Sequence, residues 1–363
     1  MAITDYFVVP TGSALNGGTS ELDAWDLDTG LTSLAADVRI NIKAGNYLGY
    51  AGVGGMTGGT ATNPAIIRGY ASVTGDGYQG RDSSGNLIVS NMPYIGYQSG
   101  VAFDIGNAAN YVIIDSVRIQ TSGTGATPPF NWVGQGVLVV NSVLENVLNT
   151  TGIMVSLSGY GSLINCDVHN RLASSGSPTI SINSVGNVIG CRVSSVYGSG
   201  IGVRFLGTTS TTCKGTALID NVIYNALDGV SLINTQNANV IVYDNTIVRC
   251  SGADIKRVGT PTIPLVLSNN HITDSSIAID NSSSNPTFCF NNRFRSLRLS
   301  DNGTPWVQVQ TISTGSGTSS DFVDYNNNIY RLIDSAPARR RSIVSRRDIG
   351  GQQGYDTYGF ANG

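Results

Sequence analysis

A short phrase recurs eight times along this chain, and its spacing restricts the fold more than any other feature. Two apolar residues, often followed by a small polar one, precede Asn, Asp or Gly and then a small polar residue or Cys. The occurrences are VIIDSVRI, VLVVNSVLE, SLINCDVH, NVIGCRVS, ALIDNVIY, VIVYDNTIV, LVLSNNHIT and TFCFNNRF. The residues at the equivalent point are Asp115, Asn141, Asn165, Gly190, Asp220, Asp244, Asn269 and Asn291, separated by 26, 24, 25, 30, 24, 25 and 22 positions. Repetition near one period of about 25 residues is the mark of a solenoid, in which each coil buries its apolar face against its neighbours. The interval of 30 contains GTTSTTCKG, residues 207–215, which lengthens one coil.

Strands and turns, not helices, build these coils. Runs such as GIMVSLS, PTISINS and GIGVRFL alternate with period two. Gly supplies 45 of 363 residues and charged residues only 12%, a composition suited to turns and half-buried strands. With 40% apolar residues the chain can form a core, which argues against disorder. Directly after the equivalent points come Ser116, Ser142, Cys166, Cys191, Asn221, Asn245, Asn270 and Asn292. Four Asn in a period-matched column (Asn221, Asn245, Asn270, Asn292) predict a ladder of stacked amides at a turn. The two Cys of that column would lie within disulfide reach. Stacked reduced thiols are the expectation, because the five Cys are odd in number and lack C-x-x-C spacing. A second column, Ile153, Ile180, Ile201, Val230, Ala253 and Ile277, is expected to point inward.

The predicted fold is all-β, a parallel β-helix. Residues 1–38 would form an opening strand and cap, 39–300 the coils, and 301–363 an irregular region with a docking tail. ELDAWDLDTGLTSLA, residues 21–35, is the expected cap, a short helix or loop over the open N-terminal end. Several phrases carry a family resemblance: DYFVVPTGSALNGGT, RINIKAGNY (39–47), NPAIIRGY (63–70), and YRLIDSAPA and RRDIGG within 330–351. They resemble the right-handed parallel β-helix, pectate-lyase-like superfamily, and within it the β-helical surface proteins of phages. The resemblance implies the fold over most of the chain; it leaves function open, because one scaffold carries many activities.

Enzymes of that superfamily cleave acidic glycans on an outward strand face. Some use Ca²⁺ with an Arg or Lys base, and others pair carboxylates as acid and base. The inward column places Arg204, Asp228, Asp254, Lys256 and Asp280 outward, and these are the candidate catalytic residues. Arg204 and Lys256 would share a column, and carboxylates one coil apart would be near enough to share a cation. The competing reading is a solvated charged face. Sequence signatures of the enzymes weaken the catalytic case. Neither the hydrolase motifs (Asp-Asp, Gly-His-Gly, Arg-Ile-Lys) nor the lyase motifs (Trp-Ile-Asp-His, Arg-x-Pro-x-x-Arg) are present in the required form. The only two His, His169 and His271, exclude a multi-His metal site and read as half-buried turn residues. No cofactor or metal is expected, with Ca²⁺ entering only under the lyase reading.

A net charge of −3 makes no case for nucleic acid or a membrane surface, and no run of 18 apolar residues occurs. MAITDYFVVPTGSA has neither a basic nor a long apolar leader region. Arg339, Arg340, Arg341, Arg346 and Arg347 cluster in a chain with 21 basic residues, which suits docking onto an acidic neighbouring subunit. Tyr355, Tyr358 and Phe360 could join that contact. The leading expectation is a non-catalytic virion surface protein: a capsid decoration, fibre or accessory spike subunit made in the host cytoplasm. It would self-associate, as a homotrimer by analogy, contact other virion proteins, and take a surface glycan as ligand. The alternative is an extracellular polysaccharide lyase or glycosidase acting on acidic glycans.

Overall fold

The structure, a computed structural model, describes residues 3–332 apart from 51–55, 98–109, 122–129, 133, 148–152, 158, 172–174, 184, 207–215, 234–239, 260–264, 274–276, 282–286, 295–298, 302–306, 312–321 and 325–328. Beyond Asp280, side chains are described only for Asn292. The proposed docking residues Arg339, Arg340, Arg341, Arg346 and Arg347 lie outside the described residues.

One coil shows how the sequence makes the fold. Gly186–Ile189 forms a strand of the first sheet, Gly190 turns the corner, and Arg192–Ser194 lies in the second sheet. Ile201–Leu206 then crosses the third sheet before the next coil begins at Thr216–Ile219. Repetition gives three parallel sheets and a β-solenoid of about seven turns. The first sheet runs from Thr4–Val8 to Val307–Thr311, and the third from Phe130–Trp132 to Leu299–Asp301. Parallel strands covered on their inner face read as stacked apolar columns. Leu163, Val188, Leu218, Val242 and Leu267 stack in the first sheet, all fully buried. Leu144, Val168, Val193, Ile223 and Ile247 do the same in the second.

In the third sheet the inward stack is Val155, Ile180, Val203, Val230, Ile255 and Ile279. Ile153, Ile201, Ala253 and Ile277, placed in this column from the sequence, therefore sit two positions ahead of the observed stack. A displacement of two preserves the face within a strand, so Arg204 and Lys256 keep their outward assignment, while Ile153 and Ile277 are only half-buried.

The corner between the first and second sheets needs a left-handed residue, which Asn, Asp and Gly adopt at the least cost. Asn141, Asn165, Gly190, Asp220, Asp244 and Asn269 all have φ between 51° and 63°. The first coil departs from the sequence alignment by one residue. Asp115 pairs with Val140 and remains in its strand, while Ser116 takes the corner at φ 58°. Val117, not Ser116, therefore occupies the ladder column.

That ladder is continuous. Asn221, Asn245, Asn270 and Asn292 are all fully buried. Asn245 Oδ1 accepts from the Asn221 backbone N–H at 3.0 Å and from Asn221 Nδ2 at 2.9 Å. Its own Nδ2 donates to Leu218 O, Tyr243 O and Asn270 Oδ1. Smaller side chains take the same role in earlier coils. Cys191 Sγ accepts from Cys166 N–H at 3.3 Å, and Ser142 Oγ from Val117 N–H at 3.2 Å. Cys166 and Cys191 are stacked free thiols, as expected, and not a disulfide. Each such buried bond contributes about 0.5–1.5 kcal/mol, and losing one partner costs more than that net gain.

The N-terminal end is closed by residues between Thr4–Val8 and Val38–Lys43, two strands that pair in parallel. Asp26 caps the helix Leu27–Thr32 by accepting from Thr29 N–H at 2.8 Å. Leu27, Leu31 and Leu34 join the same core as Val8 and Ile40. A second excursion, residues 71–93, leaves strand Ala65–Tyr70 and rejoins the solenoid at Tyr94–Tyr97. Asp76 ties its start by accepting from the N–H groups of Ala71, Ser72 and Val73. Gly77 lies so close to the sheet that a Cβ there would sit 2.4 Å from Gly69 O.

Candidate functional site on the outward face of the third sheet

The strand register places Ser156, Ser181, Arg204, Ser231, Lys256 and Asp280 in one outward column on successive coils. Arg204, Lys256 and Asp280 are thus brought together as the sequence indicated. Coils are spaced by about 4.8 Å, so Arg204 and Lys256 are rooted about 10 Å apart with Ser231 between them. Both side chains are long enough to meet over one bound sugar.

The two cations differ in their surroundings. Lys256 Nζ lies 3.2 Å from Asp228 Oδ2, and the other Asp228 oxygen accepts from Ala253 N–H at 3.0 Å. Asp228 is buried, its carboxylate fully occupied. Arg204 is half-buried and makes no hydrogen bond or ion pair among the described residues. Burial pushes its pKa down. A desolvated guanidinium without a carboxylate is costly, and its planar fork matches a carboxylate's two oxygens.

Asp254 does not belong to this face. It is fully buried, and its carboxyl contacts the Cys250 thiol, which burial pushes well up. The reason lies at the strand's start, where the chain is still leaving the corner. One coil earlier, a Cβ on Gly229 would point at Ile247 Cγ2 (2.5 Å) and Cys250 Sγ (3.1 Å), into the core. Parity assigned Asp254 outward, but the alternation takes hold only beyond this position.

The histidines also depart from expectation. His169 lies within strand Asp167–Asn170 and His271 opens strand His271–Thr273, so neither is a turn residue. His271 is fully buried. Among the described residues, no three His, Cys, Asp or Glu side chains gather as a metal ion would require. No helix among those residues is long and apolar enough to cross a membrane.

Chemically, the column offers a guanidinium without a partner among the described residues, suited to an anionic group, and a lysine held beside a carboxylate. Hydrolysis by paired carboxylates needs one acid kept protonated and another free to act. Asp228 is committed to its two partners, Asp254 is in the core, and Asp280 alone remains accessible.

No family model matches the sequence, and no curated protein does. Among solved structures, the chain is similar to pectate lyase Pel9A, with a TM-score of 0.62 at 13% identity, covering 96% of both chains. A rhamnogalacturonan lyase aligns at a TM-score of 0.46 and 12% identity, over 88% of this chain and 91% of that one. The GH136 lacto-N-biosidase from Eubacterium ramulus aligns at 0.42 and 11%, over 85% and 67%. The coil-by-coil stacking, the corner ladder and the end-to-end similarity to the first of these structures establish that this protein has the pectate-lyase-like parallel β-helix fold.

Proposed function

We propose that the protein cleaves an acidic polysaccharide by β-elimination across the outward column of the third sheet. The observation that carries this reading is Arg204, a half-buried guanidinium in the same column as Lys256 that has no hydrogen-bond or ion-pair partner among the described residues. Similarity in fold to a pectate lyase along the whole chain supports it. Arg204 would clamp a uronate carboxylate, which acidifies the adjacent C5–H. Lys256, after giving its own proton to solvent, would take the C5 proton as the amine, and its neighbour Asp228 holds it in place and stabilises the ammonium re-formed. The C5 electron pair forms the C4–C5 double bond as the C4–O bond breaks, and water protonates the departing oxygen. Elimination fits better than hydrolysis because the column has no accessible pair of carboxylates. The sugar chain would lie along the solenoid axis, spanning coils, over Arg204, Lys256 and Asp280, with the buried serines of the column beneath them.

The test is incubation with polygalacturonate, following the ultraviolet absorbance of the unsaturated uronate end. Wild type should generate it and Arg204→Ala should not. Polygalacturonate that binds to the column and is never cleaved would overturn catalysis and favour the non-catalytic, glycan-binding surface role anticipated from sequence. Light scattering would then decide whether the chain self-associates as a virion subunit would.

A further inference from the structure

The second sheet carries a different outward face, used neither by the ladder nor by the third-sheet column. Residues 71–93 lie against it. Arg81 Nη1 reaches Asp167 Oδ1 at 2.6 Å, its Nε reaches Asn165 Oδ1 at 3.0 Å, and its Nη2 reaches Gly190 O at 3.2 Å. The Leu87 N–H donates to Asp167 Oδ2 at 2.7 Å. Both oxygens of Asp167 are therefore spent on anchoring the excursion. Between the excursion and the sheet lies an open groove of about 470 Å³, within the size range of small-ligand sites.

The groove has three kinds of surface. Leu87 and Val89 make an apolar wall that meets Val143 on the sheet. At one end, Glu145 accepts from Arg118 at 2.9 Å and from Arg171 at 2.8 Å. Burial alone would push the Glu145 carboxyl up, yet the two guanidiniums hold it below its usual range. Two positive charges against one negative leave a surplus, and Arg171 is 62% exposed, free to turn to a second anion. Beyond this cluster come uncharged polar groups. Burial pushes the pKa of His169 down, so the ring is neutral at pH 7, and its Nδ1 is 2.8 Å from Ser194 Oγ. Tyr224 follows on the next coil.

We infer that this groove is a second carbohydrate site, which binds a short uronate-bearing oligosaccharide without cleaving it. The surplus positive charge of Arg118 and Arg171 takes the carboxylate. Leu87 and Val89 cover the C–H face of the sugar ring, and His169, Ser194 and Tyr224 meet its hydroxyls. Free small carboxylates share the first of these contacts and lack the other two, which is what separates the two sources of the anion. The inference does not depend on catalysis at the third sheet, since no residue is common to the two sites.

The chain has only two histidines, so imidazole NMR reports the groove directly through His169, with buried His271 as internal control. Digalacturonate titrated into the full chain should shift the His169 signals saturably and leave those of His271 in place. Arg171→Gln, a change at an exposed side chain, should weaken that binding at least about tenfold, the effect of losing one charge-assisted hydrogen bond. Cleavage of polygalacturonate by this variant should be unchanged, which separates the failure of this site from failure of the third-sheet reading. A neutral galactose disaccharide that shifts His169 as strongly, or acetate that binds as tightly as digalacturonate, would overturn the assignment. So would an Arg171→Gln variant with undiminished affinity.

Discussion

The second and third sheets present outward faces of opposite character. On the second, Asp167, Arg81 and Glu145 are buried or nearly so; Asp167 pairs with Arg81, and Glu145 with Arg118 and Arg171. On the third, Arg204 lies between two serines and has no partner among the described residues. Buried charges that satisfy each other fix an inserted segment to the solenoid, and a broken pair leaves an uncompensated ion. A half-buried charge left unsatisfied stabilises nothing in the free protein and is kept only if something else completes it. The same alternating strand pattern thus carries an anchor on one face and a receptor on another. What differs is whether an adjacent coil or the inserted segment brings a countercharge within reach.

The largest expected effect tests the anchor. Asp167→Ala strands Arg81, and urea unfolding should show a loss of about 3–5 kcal/mol, with residues 71–93 becoming the first site of protease cleavage. A loss within the error of extrapolation would mean that the charges on the second face hold nothing.

Next comes the receptor. Arg204→Met keeps the side-chain length and removes the desolvated charge. Turnover should fall by about 100-fold or more, while Tm rises by about 1–2 °C. A variant that is both inactive and markedly less stable would identify Arg204 as another anchor and erase the contrast.

Acid titration gives the smallest effect. His169 has a folded pKa below its ordinary 6.5, so the unfolded chain binds a proton first and stability falls as pH drops through that value. Glu145, depressed below 4.5, contributes stability above that pH, which is lost on further acidification. His169→Gln should flatten the upper segment of the curve, whose slope is at most about 1.4 kcal/mol per pH unit. Thermal scans from pH 7 to pH 4 would reveal it, and an unchanged curve would show that His169 titrates as it does in the unfolded chain.

The coil period, the Asn ladder and the stacked Cys were legible because each follows from one local requirement repeated at fixed spacing. Two adjacent corner-compatible residues, Asp115 and Ser116, made the first coil ambiguous, and only pairing with Val140 and Asn141 resolves it. Arg204 and Lys256 were readable from parity, whereas Asp254 was not, because parity begins only after the corner. The groove was the least visible feature. Arg81 and Asp167 are 86 residues apart, and SVTGDGYQGRDSSGNLIVSNM has no period to place it. One signal was available: Arg68 and Asp115 pair across neighbouring coils yet lie 47 positions apart, from subtracting 68 from 115, almost twice the usual coil. Such an interval announces an insertion without saying where it lies. His169 was read as a turn residue because it follows the corner so closely.

The corner ladder makes the chain divisible. Cys191 N–H donates to Asn221 Oδ1, and Asn221 N–H donates to Asn245 Oδ1, the same connection made by different side chains. A cut placed at this column leaves one donor waiting on one side and one acceptor on the other. Excising residues 221–244 would join Cys191's coil to the one beginning at Asn245 through an identical bond. The molecule can therefore be shortened or extended by whole coils, as a text is edited by lines.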